Sequence, residues 1–103
     1  MIKIIQPSVG GSARFLFSTT NANGSVDTGI SNGFSSITKS ATGIYDYVFV
    51  SPMSYAPCVV VTCVGSYSRF FISASSTTGF SVTFTNTLGA ALDSKHMVHV
   101  NGF

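Results

Sequence analysis

The residues best suited to chemistry are two histidines and three aspartates. Asp93, His96 and one of the many serines can be drawn as a hydrolase triad, because histidine can act as a base that an aspartate orients. His96 and His99 are three residues apart in a segment that reads as a strand, however, so they point to opposite faces and cannot share one catalytic or metal site. We interpret both as structural and predict no catalytic residue, no metal ligand and no cofactor.

The three aspartates do not indicate an acid–base enzyme either. No two of Asp27, Asp46 and Asp93 stand at a spacing that places them together on one element, as a glycosidase pair would require. The Gly10-Gly11 pair lacks the lysine and the helix that follow a phosphate-binding loop. The sequence therefore predicts a protein that is not an enzyme.

Two cysteines lie in one apolar run, Cys58 to Cys63. In an extended strand their Cα atoms would be roughly 16 Å apart, and the odd spacing places them on opposite faces. We predict two thiols that do not bond to each other. The simplest interpretation is that both are small apolar fillers in a reducing compartment, and an intermolecular contact or a metal site is the alternative.

Aromatic residues beside turns leave three interpretations open. Phe70 and Phe71 are neighbours on a predicted strand, so one of them must face away from the core, and Tyr55 and Tyr67 lie beside loops. Such rings pack at the rim of a core, lie in a subunit interface or form a platform for a carbohydrate.

The composition restricts the fold that must position these residues. Charged residues make up only 8% of the 103 residues, and glutamate is absent, so the charged solvent face of a helix bundle cannot be built. With 45% hydrophobic and 13% aromatic residues the chain has ample apolar surface to fold. Serine and threonine fill more than a quarter of it, which is typical of strands and turns.

The same composition argues against nucleic acid and membrane as partners. The basic residues are scattered along the chain instead of forming a phosphate-binding cluster; they are Lys3, Arg14, Lys39, Arg69 and Lys95. The longest apolar run has about seven residues, whereas a membrane helix needs about twenty. A surface so poor in charge favours association, so we expect neighbouring proteins to cover it.

Alternating segments separated by turn signals predict an all-β fold. The expected strands are 2–6, 13–18, 25–30, 34–40, 44–50, 57–64, 67–74, 80–86 and 95–101, with Asn23-Gly24 and Asn32-Gly33 as tight turns. About seven to nine short strands make an antiparallel β-sandwich, jelly-roll-like, in a single domain over residues 1–103. The segment before Gln6 and Pro7 is too short for a signal peptide.

The period-2 pattern also predicts which side chains face the core. Tyr45, Tyr47 and Phe49 should point inward, as should Phe80, Val82 and Phe84, while Ser81, Thr83 and Thr85 point outward. Alternation places Phe34 and Ile37 on opposite faces. Residues 57–64 are apolar on both faces and are expected to form a central strand buried on both sides. The polar stretch 19–25 is expected to be the most exposed loop.

Several short motifs follow one another in a recognisable order. They are Ala13-Arg14-Phe15-Leu16-Phe17, Phe34-Ser35-Ser36-Ile37-Thr38, Ala41-Thr42-Gly43-Ile44-Tyr45-Asp46-Tyr47-Val48-Phe49, the loop with Pro52-Met53 and Tyr55, Val59-Val60-Val61, Gly79-Phe80-Ser81-Val82, and Leu92-Asp93-Ser94. This order resembles a short domain at the C-terminal end of many bacteriophage tail-fibre and other virion-surface proteins. The resemblance covers most of the chain from residue 13 and brings no catalytic residues with it.

The resemblance implies a β-sandwich knob on the outside of a virion, assembled as a homotrimer in the host cytoplasm. A chain that starts directly in the knob, without a shaft or an anchor, suits a capsid decoration (cement) protein that docks on the major capsid protein or another virion protein. The alternative is a fibre tip that recognises a host surface glycan. Exposed aromatic and acidic residues in loops 19–25, 51–57 and 87–94 would favour the tip.

Overall fold

Seven antiparallel strands build the part of the chain that the computed structural model describes, residues 13–26, 31–64 and 69–103. The strands are β1 (Arg14–Thr20), β2 (Phe34–Ala41), β3 (Ile44–Phe49), β4 (Cys58–Cys63), β5 (Arg69–Ser75), β6 (Gly79–Thr85) and β7 (His96–Gly102). They form a three-stranded sheet of order β1-β7-β4 and a four-stranded sheet of order β2-β3-β6-β5. The predicted all-β antiparallel sandwich is confirmed.

The strand positions agree with the sequence pattern at seven of the nine predicted segments, to within two residues at each end. The segment 2–6 lies outside the described residues. In the segment 25–30 only residues 25 and 26 are described, and Val26 forms a single bridge with Thr20. Gly24 and Gly33 both have the positive φ that favours glycine. The predicted tight turn at Asn23-Gly24 is present, with the Gly24 N–H donating to the Asn21 carbonyl at 2.9 Å. The one predicted at Asn32-Gly33 is instead a bend, which leads from the bridge between Asn32 and Phe17 directly into β2.

Alternation correctly predicts the inward faces of β3 and β6, the two central strands of the larger sheet. Tyr45, Tyr47 and Phe49 are buried, and the ring of Tyr47 stacks on that of Phe80 with a centroid distance of 4.6 Å. Val82 and Phe84 are completely buried. These side chains meet Leu16, Val61, Val98 and Val100 from the smaller sheet, so the core lies between the two sheets.

β1 reverses the usual distribution of apolar and polar side chains. Leu16, Ser18 and Thr20 face the core, while Phe15 and Phe17 face solvent. The prediction of an exposed loop from residue 19 is wrong, because Thr19 and Thr20 are buried residues of this strand. The Thr20 hydroxyl can be buried because hydrogen bonds to Ser18 and Tyr47 replace those to water.

The prediction of a central strand at 57–64 is also wrong. Within the described residues, β4 is an edge strand that pairs with β7 alone. Its inward side chains pack against the core, but Cys58, Val60 and Thr62 on its outer face are exposed. A strand that is apolar on both faces is expected to have a layer packed on each face. In the described part of this chain, only the inner face of β4 is packed against such a layer.

A register shift in β2 corrects the expected phase of Phe34 and Ile37. The pairing of β2 with β3 shifts between Phe34 and Ser36, so that Phe34 lies opposite Phe49 and Ile37 lies opposite Tyr47. Both side chains therefore pack against the core cluster. A bulge inserts one residue and so reverses the alternation beyond it.

Candidate interaction surface

His96 lies in the core between the two sheets, not in a cleft. Its Nδ1 is 2.8 Å from the backbone oxygen of Ser94, which can only accept, so Nδ1 carries the proton. Its Nε2 is 2.6 Å from the hydroxyl of Tyr47 and accepts from it. Burial lowers the pKa of this imidazole, since the charged form loses its hydration. His96 is thus a neutral structural histidine.

Asp93 does not orient His96, so the two residues do not form the catalytic pair that a triad needs. The Asp93 carboxylate accepts from the backbone N–H of Gly43 at 2.8 Å and forms an ion pair with Lys39 at 2.7 Å. These contacts, that with Lys39 first, hold the pKa of Asp93 below its ordinary value. The role of Asp93 is to fix the β2–β3 turn against the loop before β7.

The other chemical candidates are also separated. Asp46 accepts a hydrogen bond from Ser81 at 2.6 Å on the outer face of the larger sheet, and Asp27 lies outside the described residues. His99 is exposed on the face of β7 opposite to that of His96, as the three-residue spacing predicts. Among the described residues, no three His, Cys, Asp or Glu side chains are grouped to hold a metal ion.

A chain of buried hydroxyl groups leads from the rim to His96. The Oγ atoms of Ser31 and Ser18 are 3.0 Å apart, Ser18 and Thr20 are 3.3 Å apart, and Thr20 lies 2.6 Å from the Tyr47 hydroxyl. Because Tyr47 donates to His96, the Thr20 hydroxyl donates to Tyr47. Burial raises the pKa of Tyr47. This network joins the sheets, and the sequence pattern did not reveal it because Ser18 and Thr20 are followed by loop-like residues.

Cys58 and Cys63 lie on opposite faces of β4, which confirms the predicted geometry. Cys58 pairs in register with Asn101 and is exposed, whereas Cys63 pairs with His96 and packs against the core. They are not joined to each other.

Exposed aromatic side chains occur on both sheets. Phe71 is 55% exposed on the outer face of the larger sheet, while the neighbouring Phe70 turns its ring toward Phe84 at the edge of the core. Tyr55 in the loop before β4 is 61% exposed. Tyr67 lies outside the described residues. The prediction that one of the two adjacent phenylalanines faces away from the core is confirmed.

The candidate interaction surface is the outer face of the three-stranded sheet. The strand registers place its side chains in rows: Phe15, Asn101 and Cys58 form one row, and Phe17, His99 and Val60 form the next. Phe15 is 68% exposed and Val60 is 47% exposed. We call these six residues the outer apolar face. Sequence analysis identified the apolar segments but not their arrangement, because β1 and β4 meet only through β7.

An apolar groove of about 460 Å³ continues this face at the end where β1 begins. Its walls include Phe15, Cys58 and Asn101 from the outer apolar face, together with Tyr55 and Phe103. Arg14 at its rim is held by the backbone oxygens of Ser51 and Pro52, at 2.9 and 3.1 Å from its Nη1. The guanidinium thus fixes the 51–57 loop beside the groove.

Comparisons with known proteins found no relative of this chain. Neither a family model, nor a curated protein, nor a solved structure matches the chain. None of the described residues belongs to a helix long and apolar enough to cross a membrane.

Proposed function

We propose that this chain is a non-enzymatic structural protein of a bacteriophage virion, a capsid decoration (cement) protein that docks as a homotrimer on the outer shell and stabilises it. The observation that carries the proposal is the outer apolar face. Its exposed Phe15, Phe17 and Val60 lie together on one side of the sandwich, where a monomer would leave them in water. Contiguous exposed apolar side chains of this kind mark surfaces that other proteins cover.

The charge distribution supports an assembly role. Charged residues are few, and Lys39 and Asp93 neutralise each other in an ion pair. A surface with little charge does not keep molecules apart in solution, which suits a protein packed among neighbours. The partners that we propose are further copies of the chain and the major capsid protein or another virion protein.

The resemblance to virion-surface domains supports the same function. The segments that carry it include β3 and β6, whose side chains form the centre of the core, and the Leu92-Asp93-Ser94 segment that closes the β2–β3 turn. We therefore propose a location on the outer surface of the virion, after assembly in the host cytoplasm.

A fibre tip that binds a host surface glycan is the second candidate. Tyr55 favours it, since an exposed ring beside the Asn101 amide could stack on a sugar. The other loops argue against it: 19–25 contains no aromatic or acidic residue, and Asp93 in 87–94 is paired with Lys39. One exposed aromatic residue in three loops favours the decoration protein.

Cryo-electron microscopy of purified virions tests the proposal. We expect density for this sandwich on the outer shell, and its addition to shells that lack it should raise their melting temperature. Density at a tail fibre would support the tip instead. Absence of the chain from purified virions, checked by mass spectrometry, would overturn both.

A further inference from the structure

A pit of about 260 Å³ opens on the outer face of the larger sheet, on the side of the sandwich opposite to the outer apolar face. It lies where Gly79 pairs with Val48 and Ser81 pairs with Asp46. A Cβ on Gly79 would overlap the backbone of β3, so this position carries no side chain. The small Ala74, which follows a register shift in β5, lines the third side. We call this depression the Asp46 pit.

The walls of the Asp46 pit offer hydrogen-bond acceptors and one negative charge. Asp46 is half-buried, and its Oδ1 accepts a hydrogen bond from the Ser81 hydroxyl at 2.6 Å. The wall on the β5 side carries the exposed hydroxyl groups of Ser75, Ser76 and Thr78. Among the described residues, the ion pair of an aspartate is that of Asp93 with Lys39. The charge of Asp46 therefore has no cation of the described chain beside it.

The lining of the pit suits neither a metal ion nor a sugar. A divalent cation takes several oxygen ligands, and the described part of the chain brings no second carboxylate to the pit. A sugar ring stacks on an exposed aromatic ring. The exposed Phe71 does not line the pit, and the two aromatic residues that do, Tyr47 and Phe80, turn their stacked rings into the core.

The hydrogen bond of Asp46 also distinguishes between the two basic side chains. A guanidinium group binds a carboxylate best through both oxygens at once, but Oδ1 is already bonded to Ser81. No described residue donates to Oδ2. An ammonium group is a compact donor that bonds to single acceptors, so it can use Oδ2 together with the hydroxyl groups of the opposite wall.

Val48 provides the apolar contact that a lysine stem needs. It lies two residues after Asp46 on the same face of β3, and its side chain is 42% exposed. A lysine packs its methylene groups on such a surface and keeps its charged end among polar groups. Because Asp46 is half-buried, salt would screen this pair less than an ion pair in open solvent.

We infer that the Asp46 pit receives the side chain of a lysine from the virion protein on which this chain docks. The ammonium group donates to Oδ2 of Asp46 and to the hydroxyl groups of the opposite wall, and the stem lies along Val48. The larger sheet thus provides a contact surface in addition to the outer apolar face. This inference rests on the proposed function, because the lysine belongs to the protein that the chain covers.

Binding of amino-acid derivatives tests the pit without any virion component. The probes are the Nα-acetyl methylamides of lysine, norleucine and arginine, and binding is followed through the amide resonances of the ¹⁵N-labelled protein. We expect the lysine probe to shift the resonances of Asp46 and Ser81, the arginine probe to bind more weakly and the uncharged norleucine probe to have no effect. No shift at these residues, equal shifts with norleucine or tighter binding of arginine would overturn the inference.

Asp46→Asn removes the charge and retains an oxygen that can accept from Ser81. It should reduce the affinity for the lysine probe by about tenfold or more, because a hydrogen bond between charged groups is lost. Circular dichroism should show the same strand content as in the wild type. Unchanged affinity in this variant would place the bound probe elsewhere and contradict the inference.

Docking on shells that lack the protein tests the partner. Leu88→Lys is the matched control, since it raises the net charge by one, as Asp46→Asn does, at a loop residue that is 91% exposed and outside the pit. We expect Leu88→Lys to bind the shells as the wild type does and Asp46→Asn to bind about tenfold more weakly. Equal binding of the two variants, whether retained or lost, would exclude the contact.

The two experiments separate this inference from the proposed function. A lysine probe that binds in the pit of a chain absent from virions would remove the virion role and leave the pit as a site for lysine. Normal docking of Asp46→Asn on the shells would remove the lysine contact and leave the virion role.

Discussion

The hydroxyl of Tyr47 lies 2.6 Å from Nε2 of His96, and this hydrogen bond joins β3, one of the two central strands of the larger sheet, to β7, the central strand of the smaller one. Tyr47 receives a further hydrogen bond from Thr20, also at 2.6 Å. All three side chains are buried. A polar contact at this depth contributes to stability only while each member keeps its partners.

Removal of that hydroxyl should destabilise the fold. Tyr47→Phe leaves the buried Nε2 of His96 without its hydrogen-bond partner, which costs about 1–3 kcal/mol. The Thr20 hydroxyl loses one partner but keeps Ser18, at 3.3 Å. For a domain of this size, about 1 kcal/mol lowers the melting temperature by about 4–8 °C. Differential scanning calorimetry measures the change. Tyr55→Phe, which removes an exposed hydroxyl, is the control and should leave the melting temperature unchanged.

Acid should destabilise the protein through His96. The pKa of this imidazole is lowered by burial from its ordinary 6.5, so below that pH the unfolded chain holds more protons than the folded one. The contribution of neutral His96 to the free energy of unfolding is therefore fully present above pH 6.5, and it is lost as the pH falls toward the lower pKa of the folded state. The pKa of Asp93 is lowered from 3.8, so its contribution is lost only at more acid pH.

Denaturant unfolding between about pH 7.5 and pH 5 measures this loss. His99→Gln leaves a single histidine in the chain, so that the ring resonances that remain belong to His96. The ring resonances of His96 in the folded protein should not titrate at pH 6.5. Titration of His96 at its ordinary pKa would contradict the assignment.

The central strands were predictable from sequence because one local pattern, alternation, decides their faces. β3 and β6 have aromatic or β-branched residues at every second position, and both follow the prediction. The same pattern gave a wrong prediction for the end of β1 and for the position of β4 in its sheet. Thr20 stands in a polar stretch that is typical of a loop, but its hydroxyl is buried because it bonds to Tyr47 across the core. Val60 is apolar, and sequence alone does not show whether the face of β4 that carries it is covered by a further layer.

The outer apolar face could not be predicted from sequence, because it depends on which strands are neighbours in the sheet. Phe15 and Cys58 are 43 positions apart, and only the pairing of both strands with β7 brings them into one row. Local patterns give no information on such pairings. The prediction that His96 and His99 lie on opposite faces of their strand needed only the strand period, and it is confirmed.

Truncation of the core should be far more costly than truncation of the outer face. Phe84 is completely buried against His96 and Tyr45, so Phe84→Ala should cost about 3–5 kcal/mol of a total stability of about 5–15. Thr83→Ala, one residue earlier, removes only an exposed hydrogen bond to Ser73. Thermal unfolding should show a large loss for the first and little for the second. Equal, small losses would contradict the orientation of β6.

Alanine substitutions at two glycines distinguish the cost of backbone strain from the cost of crowding in the core. Gly33 and Gly89 have φ of +94° and +87°, so alanine at either position costs about 1–2 kcal/mol in the left-handed region. A Cβ on Gly33 would also overlap the buried side chain of Leu16, whereas a Cβ on Gly89 would meet no atom within 4 Å. Because Leu16 cannot move without disturbing the core, Gly33→Ala should cost about 1–3 kcal/mol more than Gly89→Ala. Denaturant unfolding of the two variants measures this difference. A second substitution, Leu16→Ala, should make Gly33→Ala less costly by providing space for the new methyl group, and losses that simply add would show that Leu16 does not cause the effect.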